Sequence, residues 1–575
     1  MLIKRHFRRL VVAALPVMML AGVINPANAE VKPQASGLNS ARSSVVTQAS
    51  GKKVLHYNIN GEPDTLDPQQ ANYTDSIQIG MALFRGLLRI DEKSNVAPSI
   101  AKEVPSVANG GISADGTVYT FKLNDWKWSD GKGTVTAGDF VYTWQRLVDP
   151  ALANPYAPFF NGVIKNAQEI SDGKMKPTDL GVKAVDDKTF QVTLAQPKSF
   201  FLALTTLGMT YVVRKDVVEK PGLSTPSAWT DPANGTVVGT GPFIITKWDH
   251  QNEIVLEKNP NFSGTAAKLD EVDLDETTDQ SVTYAAYKNN ELDITTFPAV
   301  ELHNIEKDPV LSKELHKTAQ LCTWALAMDY SDKPFSDKNV RLAFAHALDR
   351  DSLISTVNQG LGFKTYSWLP PGIFGYDANA GKDLEFDVNV AKKYMSDAGF
   401  PDGKGFPAVN FNYRATPNGQ RRAEWFQAQL EKNLSITINL NPMETAAYEA
   451  ATSDPKVKIP GIEQYGWCTD YPHPQDWFTV IWVNGTNGNG NNITGYNNAD
   501  FEKASLAADA EVDQAKALVA YQALQKQFLS DVPIVPLYND ESVALIKPHV
   551  KGIVDTPLDG GFNGTWFWEN IDIQG

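Results

Sequence analysis

The chain has 575 residues, of which 42% are hydrophobic and 21% charged, and its formal net charge is −15. That is the composition of an ordinary globular protein, long enough for two to four structural units. A negative field of this size disfavours nucleic acid and anionic membrane surfaces as partners.

The first 29 residues read as an export signal. Lys4, Arg5, Arg8 and Arg9 make a basic start, followed by the apolar run "LVVAALPVMMLAGVI". Small residues at Ala27 and Ala29 predict cleavage after Ala29. The apolar run is about 15 residues, short for a bilayer span. Val23 stands where a lipidated cysteine would follow "LAG", so no lipid anchor is expected and a periplasm is the favoured destination. Loss of the four cations takes the net charge from −15 to −19.

Residues 30–53, rich in Ser, Ala and Gln, are expected to be a disordered leader. Order begins at Val54 with the alternating strand "VLHYNIN". "TDSIQIGMALFRGLLRID" reads as a helix packed on it. "GTVYTFKLN" is a strand, Asp130-Gly131 a turn, and a helix starts near Thr136, capped by its hydroxyl with Asp139 as acidic partner. "KTFQVTLAQP" is another strand. "GTGPFIITKWDHQNEIVLEKNPNF" reads as two strands joined by the turn "DHQN".

In "SDKNVRLAFAHALDRDSLISTV", Val340, Ala343, Phe344, Ala347, Leu348 and Leu353 repeat at helical spacing, with Ser336 or Asp337 as cap. "DVNVAKKYMSDAGF" predicts a helix ending at Gly399, and "QRRAEWFQAQLEKNL" a third. "NGTNGNGNN", Asn484–Asn492, reads as a mobile loop. "QAKALVAYQALQKQFLSDVPIVPLYND" is a helix leading into a strand. Strands and helices alternate throughout, so the class is α/β.

No P-loop, dinucleotide fingerprint, H-E-x-x-H or G-x-S-x-G is present, and the eight histidines are scattered. No cofactor, metal site or catalytic group is expected. His473, between two prolines, reads as a solvated loop histidine. Most of the 13 tryptophans are expected in the core, with some lining a cleft. Cys322 and Cys468 are the only cysteines. An even pair in an exported chain reads first as a disulfide, with a redox or nucleophilic site as alternatives.

Several stretches taken together resemble the large solute-binding proteins of bacterial peptide importers, the oligopeptide-binding type above all. They are "EPDTLDPQQANYTDSIQIGMALFRGLLRID", "DGTVYTFKLNDWKWSDGKGTVTAGDFVYTWQRLVDP", "GTGPFII…IVLEKNPNF", "KPFSDKNVRLAFAHALDRDSL", "LCTW" and "GWCTDY". The resemblance runs from about Val54 to the C-terminus.

It implies a two-lobed clamshell of the large three-domain type, with mixed sheets and a hinge near Leu321 and Asp540. A discontinuous first domain would comprise 54–84, 214–321 and 541–575; the second, in the same lobe, 85–213; the third, forming the other lobe, 322–540. It implies a monomeric periplasmic receptor that holds a peptide and passes it to an inner-membrane ABC permease with its ATPase subunits, without catalysis. Asp470 would pair with the ligand's α-ammonium. The backbone of Gly466 and Cys468 would take its main chain, and Trp467 would flank a side chain. Asn72, Thr74 and Tyr156 would touch ligand from the first lobe. The same contexts carry the disulfide Cys322–Cys468 in this family.

The chain departs from the pattern at the ligand's far end. Gln464 and Asn358 stand where basic side chains are found, Asp540 replaces a tyrosine and Thr445 a tryptophan. Arg414, Arg421 or Arg422 remains as a carboxylate partner, and Asp540 would favour a cationic ligand. The alternatives are a receptor of the same fold for a murein peptide, a metal chelate or an oligosaccharide, and, from another class, a secreted hydrolase.

Overall fold

The computed structural model describes residues 51–235, 237–330, 333–445, 447–448, 460–483, 492–558 and 563–574. The expected signal, most of the leader and all but the last residue of Asn484–Asn492 lie outside the described residues. Lys52 and Lys53, read as the end of the leader, already belong to the fold. The Lys53 amide donates to Asp270 and its ammonium meets Asp572 at 2.6 Å.

An 11-stranded mixed sheet runs through the molecule. Its order is Ile438–Met443, Val409–Arg414, Ile462–Cys468, Leu315–Met328, Ile534–Ile546, Ile294–Thr295, Val54–Asn58, Glu271–Asp275, Glu253–Lys258 and Phe243–Asp249, with Phe363–Lys364 also paired to Ile534–Ile546. A separate three-stranded sheet holds Val118–Lys122, Thr189–Thr193 and Val182–Asp186.

The two longest strands, Leu315–Met328 and Ile534–Ile546, are antiparallel and lie side by side in the middle of this sheet. Their ladder breaks between Ala319↔Glu541 and Thr323↔Asn539. At the break the Leu321 amide donates to Pro557 O and its carbonyl accepts from the Thr469 amide. Beyond it, side chains alternate by strand geometry: Leu326 and Met328 enter one apolar core, Ala325 and Ala327 another. The strand Ile534–Ile546 thus runs six residues past Asp540, where the sequence pattern ended.

Local signals hold where the backbone needs no distant partner. Thr136 and Asp139 form the reciprocal capping box of the helix Ala137–Leu147. Asp337 caps Lys338–Ala347, and Val388–Asp397 ends before Gly399, which adopts φ +90°. Phe243–Asp249 and Glu253–Lys258 pair across the expected turn. Thr416 caps the helix Pro417–Leu434 one turn earlier than the sequence pattern suggested.

Two helices differ from expectation. The first stops at Leu83, and Leu88–Ile90 is a strand. The Leu83 carbonyl accepts the amides of Thr240 and Gly241 instead of continuing the helical ladder. A Cβ at Gly239 would sit 2.1 Å from Leu83 O and one at Gly241 2.3 Å from Ala82 O, so both glycines of "GTGP" are needed for this closure. The expected single helix through Leu353 is broken at Leu348, whose backbone is extended, and Asp349 recaps a new turn by accepting the amides of Asp351 and Ser352.

The tryptophans divide as expected. Trp144, Trp368, Trp477, Trp482 and Trp568 are fully buried, whereas Trp324, Trp467 and Trp566 line clefts. No helix among the described residues is long and apolar enough to cross a membrane.

Candidate functional site

A cleft of about 490 Å³ opens at the break in the central ladder. Its walls come from segments far apart in sequence: Asn72 and Thr74 at the start of the first helix, Tyr156, Met209, Cys322, Cys468, Asp470 and Asp540. A second cleft of about 540 Å³ is lined by Trp324, Arg414, Arg422, Gln464, Gly466 and Trp467. The nine residues expected to meet ligand therefore fall into two groups, six at the first cleft and three at the second.

The strand Ile462–Cys468 separates the groups. One edge pairs with Leu315–Met328 from Cys322↔Cys468 to Met328↔Ile462. On the other edge, pairing with Val409–Arg414 stops at Asn412↔Glu463. From Gln464 to Cys468 that edge carries no strand among the described residues, and Gly466 faces the second cleft. Trp324 lies directly across from Gly466, and a Cβ there would come within 2.4 Å of the indole. Only glycine leaves Trp324 room to donate its Nε1 hydrogen to Asp540 at 3.1 Å.

Cys322 and Cys468 form the disulfide, as a directly opposed cross-strand pair with Cα atoms 4.0 Å apart. It ties the end of the strand at the point where the chain turns into Thr469-Asp470. Neither cysteine is a free thiol, so the redox and nucleophilic alternatives are excluded.

Asp470 accepts no hydrogen bond on its carboxylate from any described residue. Removal from bulk water pushes its pKa up to about 7. Across the cleft stands Tyr156, whose hydroxyl is pushed well up by burial and then by the charges of Asp470 and Asp476. Phe159 packs edge-on against Tyr471 at 6.2 Å, so segments more than 300 residues apart in sequence touch beside the aspartate.

Asp476 was not legible as a site residue. It is fully buried in the first turn of the helix Pro474–Trp482. Its Oδ2 accepts from Asp470 N at 3.0 Å, Thr469 Oγ1 at 3.1 Å and Trp467 Nε1 at 3.2 Å. Its only sequence signal was its place after Pro474, where an acid suits a helix start. His473 is a correction: it is not a solvated loop residue. Its Nδ1 accepts the Gln475 amide to cap that helix, its ring packs on Phe200, Phe374 and Tyr521, and burial pushes its pKa down to about 3.

The far-end positions gather around Trp324. Gln464 Nε2 donates to the Tyr538 hydroxyl at 3.4 Å, Tyr538 stacks on Trp324, and Arg422 lies over the indole at 5.6 Å. Arg414 shares that cleft, whereas Asn358 and Arg421 line a neighbouring cavity of about 140 Å³ with Asp540 and Arg422. Thr445 is not among the residues lining these clefts.

A cleft at the break in the central ladder, walled by segments far apart in sequence, with the carboxylate of Asp470 beside an open strand edge, fits one class: a two-lobed solute-binding protein. The profile of the bacterial extracellular solute-binding proteins, family 5, matches residues 95–490, and the chain belongs to that family of binding receptors. It is 30% identical to the periplasmic oligopeptide-binding protein of Salmonella typhimurium over 539 residues, 91% of this chain and 94% of that one. Among solved structures, the murein tripeptide binding protein of Escherichia coli superposes with a TM-score of 0.71 at 28% identity, covering 91% of this chain and 99% of that one. The oligopeptide-binding protein of Haemophilus influenzae in complex with RPPGFSPFR gives 0.69 at 27%, covering 92% and 100%.

Proposed function

We propose that this protein is a periplasmic receptor that captures peptides between its lobes and delivers them, as a monomer, to an inner-membrane ABC permease and its ATPase subunits. The observation that carries this is Asp470, an unpartnered carboxylate in the wall of the cleft, on the loop that follows an open strand edge. The α-ammonium is the positive group that unblocked peptides share. An ammonium leaving water needs a fixed anion, since an unpaired buried charge costs several kcal/mol. The free edge at Gly466 and Cys468 suits a peptide main chain added as a further strand. Trp467 then flanks a side chain, and Asn72, Thr74 and Tyr156 close on the amino-terminal end.

In this reading the lobes divide as 54–84, 85–213, 214–321 and 541–575 against 322–540, with export and cleavage after Ala29 and no lipid anchor. Gln464 and Asn358 are neutral, so the ligand's carboxylate goes to Arg422 or Arg414 in the second cleft, and Asp540 favours a cationic side chain. Relatives support a peptide as the ligand: one is named for oligopeptides and another was solved with a nonapeptide.

Titration calorimetry with alanine oligomers tests this. N-acetylation of the peptide, or Asp470→Ala, is expected to weaken binding by at least ~30-fold, the loss of one partner of a buried charge pair. The variant should unfold at the same urea concentration. Equal affinity for free and acetylated peptides overturns the assignment. A murein peptide is the second reading, supported by the similarity to the murein tripeptide binding protein; stronger binding of a peptide with γ-linked D-Glu than of all-L alanine would select it.

A further inference from the structure

The carboxylate behind Asp470 has no role in gripping a peptide directly, and it is built into the loop with unusual care. Asp476 Oδ2 collects three donors, from Trp467, Thr469 and the Asp470 amide itself. Its Oδ1 is buried with no hydrogen-bond partner among the described residues. The Asp470 carboxylate also accepts none. Asp476 is fully buried, Asp470 is half-buried in the cleft wall, and the Asp470 amide sits on the Asp476 carboxylate at 3.0 Å, so the two acids repel each other, and a site this far from bulk water does not readily hold both ionised without a cation.

Among the described residues nothing nearby supplies that cation, and the strand Ile534–Ile546 adds only the carboxylates of Asp540 and Glu541 to the same cleft. From the loop and its strand, Tyr471 and Tyr465 face the pair, and His473 is kept neutral by burial. From the other lobe comes Tyr156. From the helix Ala499–Ala510 comes Asp509, which acts on Tyr471, and Lys198 is drawn to Asp509 instead. None of the strongest influences on Asp476 is a lysine or arginine; the largest are burial and Asp470.

Resting on the receptor reading above, we propose that Asp476 is the hidden second half of the ammonium site. Without ligand the Asp470–Asp476 pair holds one proton; the arriving α-ammonium displaces it to solvent, so that peptide capture is a cation-for-proton exchange. The proton belongs to the pair and not to either residue. Asp476 acts as a positioning residue: it fixes the Asp470 amide and keeps the empty site protonated. Both carboxyls are pushed upward, Asp470 to about 7, which agrees with a pair that still holds a proton near neutrality.

The test is calorimetry of tetra-alanine binding to the full mature protein at pH 6.5, in buffers of different ionisation enthalpy. At that pH the peptide amine is already charged, because its pKa is about 8. Release of about one proton per peptide is expected, with apparent affinity falling roughly tenfold per pH unit below pH 7. Asp476→Asn keeps an acceptor for Trp467, Thr469 and the Asp470 amide. It should cut both the proton release and the pH slope to less than half, whatever it does to affinity itself. A merely structural role would change affinity equally at every pH. Binding without proton release, or an unchanged slope in the variant, overturns this inference and leaves the receptor reading standing. Absence of peptide binding overturns both.

Discussion

Asp67, in the "LDP" of the opening motif, shows how one carboxylate fastens three segments that are remote in sequence. It is fully buried and accepts from Arg146 Nη2 at 2.5 Å, from Arg146 Nη1 at 3.1 Å and from Trp229 Nε1 at 3.0 Å. Arg146 closes the helix Ala137–Leu147 and Trp229 lies in a later loop, so three remote segments meet at one anion. The ion pair is shielded from water, and removing one charge strands the other. Asp67→Asn is expected to lower unfolding free energy by about 3–5 kcal/mol. Urea denaturation should show an earlier midpoint with the slope unchanged. A midpoint like that of the wild type would mean that Arg146 finds water or another partner.

Among the elements, the helix Ala137–Leu147 anchors the apolar core beside the three-stranded sheet. Phe140, Trp144 and Leu147 point inward, where Trp144 meets Phe190 edge-on at 5.4 Å. Its start depends on two reciprocal bonds, Asp139 N to Thr136 Oγ1 at 3.3 Å and Thr136 N to Asp139 Oδ2 at 2.8 Å. Thr136→Ala removes the hydroxyl acceptor and should cost about 1 kcal/mol. Hydrogen exchange should register the loss first at the amides of the opening turn. The helix Pro474–Trp482 differs in kind: it is entirely buried, and its capping residue His473 is held between Phe200 and Tyr521. The loop that aims Asp470 is therefore braced from behind by an element with little freedom to shift.

At the scale of the whole molecule, the long strands Leu315–Met328 and Ile534–Ile546 run unbroken through the middle of the sheet. The ladder between them breaks at Leu321 and Asp540, beside the cleft. The disulfide spans 146 residues and pins the cleft wall to the long strand at that point. Closing a loop of this length restricts the unfolded chain by about 5 kcal/mol in the chain-entropy model. The double variant Cys322→Ser/Cys468→Ser should lose stability of that order, read from denaturant midpoints of the ligand-free protein. Saturating peptide should recover part of it by mass action, because ligand binds only the folded state.

Much of this was legible from the sequence alone. The capping box at Thr136, the "DHQN" turn, the Gly399 stop and the paired cysteines follow from signals that lie within a few residues or from simple pairing. The ordered motifs gave the family, and with it the proposal of Asp470 as the anion for the ligand. Tertiary structure alone decided the rest. The first helix ends at Leu83 because two amides from Thr240 and Gly241 claim its carbonyl. His473 is a buried cap because Phe200 and Tyr521 close over it. Asp476 comes to lie behind Asp470, fully buried, only when folding packs the helix Pro474–Trp482 against the loop. Periodicity and capping are local and are written in neighbouring residues; desolvation and the repulsion of two charges depend on what distant segments bring alongside.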